Sequence, residues 1–318
     1  MPYTAYFVTE CAKRLASIRA KPQDLSQYYN HTETDNKYYP PNFRWEKDLQ
    51  TNNNNFNPCA AINFHEDIVV LNTTDSNLSV FTKKGQVIKV GSPGSGDGQL
   101  KNPKAFNVIY QSNSFNNKSN IVVADTGNHR IQFFSTLDGT FVSSFGSKGS
   151  GDGEFESPSG ITVDQTNGNI IVSDTGNNRI QIFSSDGKFI SKFGTKGSNN
   201  EQLNGPTGIF KSQGNKIYVI DTGNCCIKSF TPNGTFVKKY GGLGNDFGQF
   251  QTPLGIQVTS TEKVVVVDGN SIQKFEQDGK CIWKYKGNMK PSFVKICRDG
   301  FMIITDNSRK VVSYYRNI

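Results

Sequence analysis

The chain has 318 residues, a formal net charge of +8 and a hydrophobic fraction of only 35%, with 31 Gly and 23 Phe. Such a composition suits short strands joined by tight turns and fits a helical bundle poorly. No apolar run approaches the ~20 residues that span a bilayer, and the opening MPYTAYFVTE has neither the basic nor the apolar region of a signal peptide, which predicts a cytoplasmic protein that crosses no membrane. The first 42 residues differ from the rest. Phe7, Cys11, Leu15 and Ile18 form the stripe of an amphipathic helix ending before Pro22, followed by a polar linker. The helix is expected to pack outside a monomeric domain; the alternative is dimerisation through residues 4–20. Six cysteines without a C-x-x-C pair match reduced thiols.

From Pro58 onward the chain repeats itself. Copies start near Pro58, Pro103, Pro158, Pro206, Pro253 and Pro291, giving six units over residues 43–318. The third reads PSGITVDQTNGNIIVSDTGNNRIQIFSSDGKFISKFG. It holds four apolar runs, Gly160–Val163, Asn169–Ser173, Arg179–Phe183 and Phe189–Phe193, separated by Asn/Asp/Gly turns. Four antiparallel strands recurring at this period describe a propeller blade, and blades must close into a ring to bury both sheet faces. The predicted fold is all-β, a six-bladed β-propeller of four-stranded antiparallel blades with a short N-terminal α-helix. The last unit supplies three runs only, so Phe43–Leu49 (FRWEKDL) is expected to close it as the outer strand and remove an exposed edge.

The motif DTGNHRIQFF at Asp125 recurs as DTGNNRIQIF at Asp174 and DTGNCCIKSF at Asp221. These residues, with the P-x-G-I starts and F-G ends, resemble the NHL repeat family over about residues 56–318. The resemblance extends to the propellers of tripartite-motif NHL proteins. It implies binding of single-stranded RNA on a basic face in post-transcriptional regulation, or alternatively a protein–protein scaffold in a ubiquitin-ligase pathway. The chain carries no RING or B-box Cys–His array of its own. The first unit has Asn72 in place of the aspartate, and the turns after Asp268 and Asp306 are shortened.

Blade topology places the loops between strands two and three beside the loops that enter each blade. That face is the default binding surface. The GSGDG strings at Gly94 and Gly149 lack the lysine of a phosphate loop and read as turns. The DTGN aspartates read as turn caps, Arg130 and Arg179 as links between turns, and Cys225–Cys226 as a packed, inert pair. Only three histidines occur, and neither G-x-S-x-G nor H-E-x-x-H is present, so no catalytic residue, metal, cofactor or small-molecule substrate is expected. Residues 263–318 hold eleven Lys and Arg against five acids, a surplus of 11 − 5 = 6 positive charges. Lys286, Lys290, Arg309 and Lys310 form the expected core of an RNA-contacting patch. Lys101, Lys104, His129, Lys148 and Lys196 extend it, and Asn128 with His129 is placed to meet an unstacked base. Asp152, Glu154, Glu156 and Glu201 dilute it.

Overall fold

The computed structural model describes residues 43–50, 58–62, 68–82, 86–110, 119–286, 290–296, 301–306 and 311–317. The helix expected within residues 4–20 lies outside them. Among the described residues there are strands and two 3-10 turns, Thr126–Asn128 and Thr222–Asn224, and no α-helix. Among the described residues no helix is long and apolar enough to cross a membrane.

The strands form a propeller of four-stranded antiparallel sheets. Five blades are each folded from one continuous repeat, over residues 58–90, 105–145, 158–193, 206–240 and 253–286, here blades 1 to 5 with strands a to d in chain order. The sixth sheet is composite. Its strands Pro291–Ile296, Phe301–Asp306 and Val311–Asn317 are completed by Phe43–Gln50, antiparallel from Phe43 opposite Asn317 to Gln50 opposite Val311. The expected count of six blades is thus corrected to five blades folded from one repeat each, the last three repeat strands pairing instead with Phe43–Gln50 in a composite sheet.

Burial follows strand position. Strands b and c of blade 3, Ile170–Asp174 and Arg179–Phe183, are buried at every residue, whereas strand d, Phe189–Phe193, alternates. A middle strand is covered by neighbouring blades on both faces and so reads as a continuous apolar run, as in VVVVD of blade 5. Strand d has one wet face. The core is therefore a series of seams. Ile170 and Val172 pack toward blade 2 with Val122 and Phe133, while Ile171 between them packs toward blade 4 with Ile209 and Val219. Each such side chain contributes about 1.5–3 kcal/mol when fully buried.

The face away from the loops described below is tied by polar links. Glu262, at a φ of +61°, accepts hydrogen bonds from the Tyr218 hydroxyl, the Ser212 hydroxyl and the Gly214 amide of blade 4. Lys211 of blade 4 pairs with Asp164 of blade 3 at 3.2 Å.

Removing residues 1–50 strips the partner from Val311–Asn317 and leaves an open edge. The thermal midpoint of the truncated chain is expected to fall by at least ~5 °C, the scale of a couple of kcal/mol in a domain this size. An unchanged midpoint in differential scanning calorimetry would show that the composite sheet does not depend on its first strand.

Candidate binding face

At the b–c corner of blades 2 to 5 an aspartate enters the core. Asp125, Asp174 and Asp221 are fully buried and Asp268 nearly so. A carboxylate in that position must be surrounded by donors. Asp174 accepts the Glu156 amide, the Asn177 side chain, Arg179 Nε at 2.8 Å and Gln181 Nε2. Burial pushes its carboxyl up, and Asn177, Arg179 and the Glu156 amide pull it back. Arg179 also donates to the carbonyls of Ser150, Gly151 and Glu154, so one guanidinium binds the turn to the entering loop. Blade 2 repeats this with Asp125, Asn128, Arg130 and Gln132. The aspartates and arginines are structural links, and the two kinds of loop do share one face.

Blade 4 meets the same demand with other residues. Cys226 stands at the arginine position and Lys228 at the glutamine position. Lys228 is 1% exposed, pairs with Asp221 at 2.9 Å, and donates to the carbonyls of Asn199 and Gln202. Burial pushes the Cys226 thiol up to about 11, which leaves it protonated and inert.

Blade 5 departs further. Its turn, Asp268 to Ser271, is two residues shorter than Asp174 to Arg179 and has lost the arginine. Lys284, on strand d opposite Gln273, supplies the cation instead. Its ammonium donates to the carbonyls of Asn245 and Asp246, the counterparts of Ser150 and Gly151. Burial lowers its pKa, and Asp268 and Asp246 act against that. The shortened turn opens a cleft of about 220 Å³ between Gly244–Asn245, Asp268–Ser271 and the side chains of Lys284, Lys286 and Lys290.

The loop that flanks the cleft also changes. Where the entering loops of blades 3 and 4 show Lys148 and Lys196, this one shows Leu243, and where they show Asp152 and Asn200 it shows Phe247. Ser159 and Thr207 pair with Thr175 and Thr222 through their hydroxyls. The threonine is deleted in blade 5 and Leu254 takes the matching place. Leu243, Phe247 and Leu254 are 75%, 59% and 47% exposed. Sequence periodicity missed all three, because each falls in a loop or at a strand start where no alternation marks it.

The expected patch residues fare unequally. Lys286 and Lys290 line the cleft and are exposed. Arg309 and Lys310 lie outside the described residues. Lys101, Lys104, Lys148 and Lys196 are exposed on the loop face, with Lys148 3.9 Å from Glu156. The Asn128 side-chain amide donates to the Gly94 carbonyl and to both Asp125 oxygens. His129, at a φ of +55°, accepts the Ser157 amide at Nδ1, a link between blades that Asn178 repeats with Gly205. Among the described residues no three His, Cys, Asp or Glu side chains are grouped to hold a metal.

The NHL repeat model matches residues 155–183, the run from the entering loop of blade 3 through its strand c. No curated protein matches the sequence. Among solved structures, the chain is similar to a catalytically inactive virginiamycin B lyase from Staphylococcus aureus bound to quinupristin. The TM-score is 0.61 at 15% identity, covering 86% of this chain and 88% of that one. A streptogramin B lyase gives 0.58 at 15%, covering 86% and 98%. A gluconolactonase from Xanthomonas campestris gives 0.56 at 14%, covering 79% and 82%. At such identities the likeness shows the fold. It also corrects the expectation that the chain is no enzyme: this propeller architecture houses lyases and a lactonase, so scarcity of histidine is no ground for excluding catalysis.

The blade 4 substitution yields a direct test. Lys228→Gln leaves Asp221 buried without its cation and is expected to cost about 3–5 kcal/mol. Adding Cys226→Arg recreates the blade 3 arrangement and should recover most of that loss. Urea unfolding of the wild type, both single variants and the double variant measures the coupling. A Lys228→Gln penalty below about 1 kcal/mol would show that the aspartate needs no cation.

Proposed function

We propose that the protein is a binding scaffold that captures a protein segment on the blade 5 sector of its loop face. The observation that carries this reading is the convergence of departures from the repeat in one place. Blades 3 and 4 keep polar side chains at the positions where this sector presents Leu243, Phe247 and Leu254. None of the three contributes to a blade seam. Exposed apolar side chains with no packing role mark interaction sites when grouped. The lysines beside them favour a segment that joins acidic and bulky apolar residues.

The match of the NHL repeat model at residues 155–183 supports a propeller of the binding kind. Single-stranded RNA is the competing occupant, because Lys286, Lys290 and the scattered lysines of blades 2 to 4 suit phosphates. One exposed phenylalanine is a poor stacking platform for successive bases, while two leucines suit a peptide.

Selection from a random peptide library, with counter-selection against the Leu243→Ser/Phe247→Ser/Leu254→Ser variant, is expected to enrich segments with Asp or Glu flanking Leu or Phe. Each selected peptide should bind the triple variant at least tenfold more weakly, ~1.4 kcal/mol. If no peptide is enriched and a uridine oligonucleotide binds instead, with a salt slope of about −0.7 per phosphate contact, the RNA reading replaces this one.

A further inference from the structure

Strand d forms the outer edge of blades 1 to 5, paired with strand c on one side and with no strand of its sheet on the other. Alternate backbone amides and carbonyls of such a strand point outward, a template for pairing with a further strand. Proteins blunt these edges with charged side chains, lysine above all. Five of the six outer strands here follow that rule. Val87–Val90 carries Lys89, Phe189–Phe193 carries Lys192, and Phe236–Tyr240 carries Lys238 and Lys239. Cys281–Lys286 carries Lys284 and Lys286, and Phe43–Gln50 carries Arg44, Glu46, Lys47 and Asp48. Phe141–Phe145 of blade 2, FVSSF, carries no charge.

The registers place the exception at one position. Opposite Ser79, Gln181, Lys228 and Gln273 of strand c stand Lys89, Lys192, Lys239 and Lys284, whereas opposite Gln132 stands Ser144. Blade 2 thus lacks the lysine that the other four share. Val142, Ser143 and Ser144 are exposed in succession, while in blades 3 and 4 exposed and half-buried residues alternate along strand d. Val142 is the extra residue of a β-bulge, as are Ile190, Val237 and Ile282. The bulge blunts these four edges alike and leaves residues 143–145 in register, so it does not distinguish blade 2. A second departure accompanies the first. The c–d turn of blade 2 is one residue longer than those of the other blades and presents Leu137 at 60% exposure.

We propose that the outer edge of blade 2 pairs antiparallel with the same edge of a second copy of this chain, about a two-fold axis at Ser143 or Ser144. Self-complementarity names the occupant. With the axis at Ser143, Val142 of one copy meets Ser144 of the other and Phe141 meets Phe145. With the axis at Ser144, Ser143 meets Phe145 and Val142 meets Gly146. Neither register desolvates a charge, and the edge has no charge with which to select an acidic or basic partner. The same operation on blade 4 sets Lys238 or Lys239 against its own copy, and on blades 1, 3 and 5 it draws a lysine into the pair. Two-fold association through identical patches is the commonest kind in soluble proteins. A pair of such short strands buries less than the ~1,200 Å² of a stable interface, so the dimer is weak and depends on concentration. Leu137 and Val142 supply the exposed apolar side chains of this blade. The surface is separate from the blade 5 sector and does not rest on peptide capture there.

Sedimentation equilibrium of the full chain, at concentrations up to ~1 mM, is expected to show a reversible monomer–dimer equilibrium with a dissociation constant on the order of 100 µM. Ser144→Lys installs the residue that four other blades carry at this position, so the variant should keep the wild-type melting midpoint. Its association should be weaker by about tenfold or more. Val142→Lys, at a second exposed position, gives the same block independently if the first variant is destabilised. Ser144→Thr, neutral and β-branched, should retain the dimer. The Leu243→Ser/Phe247→Ser/Leu254→Ser variant should dimerise as the wild type does, whether or not a peptide binds the blade 5 sector. A chain that stays monomeric throughout the range overturns the proposal. So does a dimer that persists in either folded lysine variant, or one that is lost in the triple serine variant.

Discussion

A carboxylate taken out of water at the corner of blades 2 to 5 sets the terms for the rest of this molecule. An ionised group in that position is tolerated only with a counter-charge and a full set of hydrogen bonds. The chain supplies them from three directions: amides of the entering loop, an Asn in the turn and a cation. Satisfying Asp174 thus pins two loops distant in sequence onto one another, Glu156 to the b–c turn. The geometry of the loop face thus answers an electrostatic requirement as well as the apolar packing of Leu100, Phe155, Leu203 and Phe250, which the entering loops bury in the core.

What is fixed is the demand for charge, while the residue that meets it is free to move. Arg130 and Arg179 meet it from the start of strand c, Lys228 from two residues further along the same strand, and Lys284 from strand d of blade 5. Each solution reaches the carbonyls of the entering loop. Lys228 and Arg179 show how different the sequences become under one constraint. A lysine gives up the planar fork of arginine, yet it holds the carboxylate and two carbonyls with three donors.

Freedom in the supplier also has consequences for binding. In blade 5 Lys284 reaches the entering-loop carbonyls from strand d, and the turn after Asp268 is two residues shorter than its counterpart in blade 3. A cleft lies there, and of the three apolar side chains beside it Leu254 stands where Ser159 and Thr207 bond a turn threonine, while Leu243 and Phe247 stand at the positions of Lys148 and Asp152. The five self-contained blades share a scaffold, but one sector of the loop face has a shape and chemistry of its own. Function on a repeat fold resides in such local departures.

The sequence by itself determined the four strands of each self-contained repeat, their limits to within two residues in blade 3, and the common face of the loops, because these rest on periodicity and turn chemistry that act locally. Phe43–Leu49 was legible as a strand because the last repeat has one apolar run too few, and it lies within Phe43–Gln50. The structural roles of Asp174 and Arg179 were legible from their recurrence. Tertiary structure alone decided that Asn128 is spent on Gly94 and Asp125, that Lys228 stands in for an arginine, and that Lys284 crosses from another strand to do the same. Such substitutions cannot be read along the chain, since charge acts through space and is indifferent to which strand carries it. The exposed Leu243, Phe247 and Leu254 were invisible for a related reason: only solvent exposure separates an apolar loop residue that packs, such as Phe250, from one that does not.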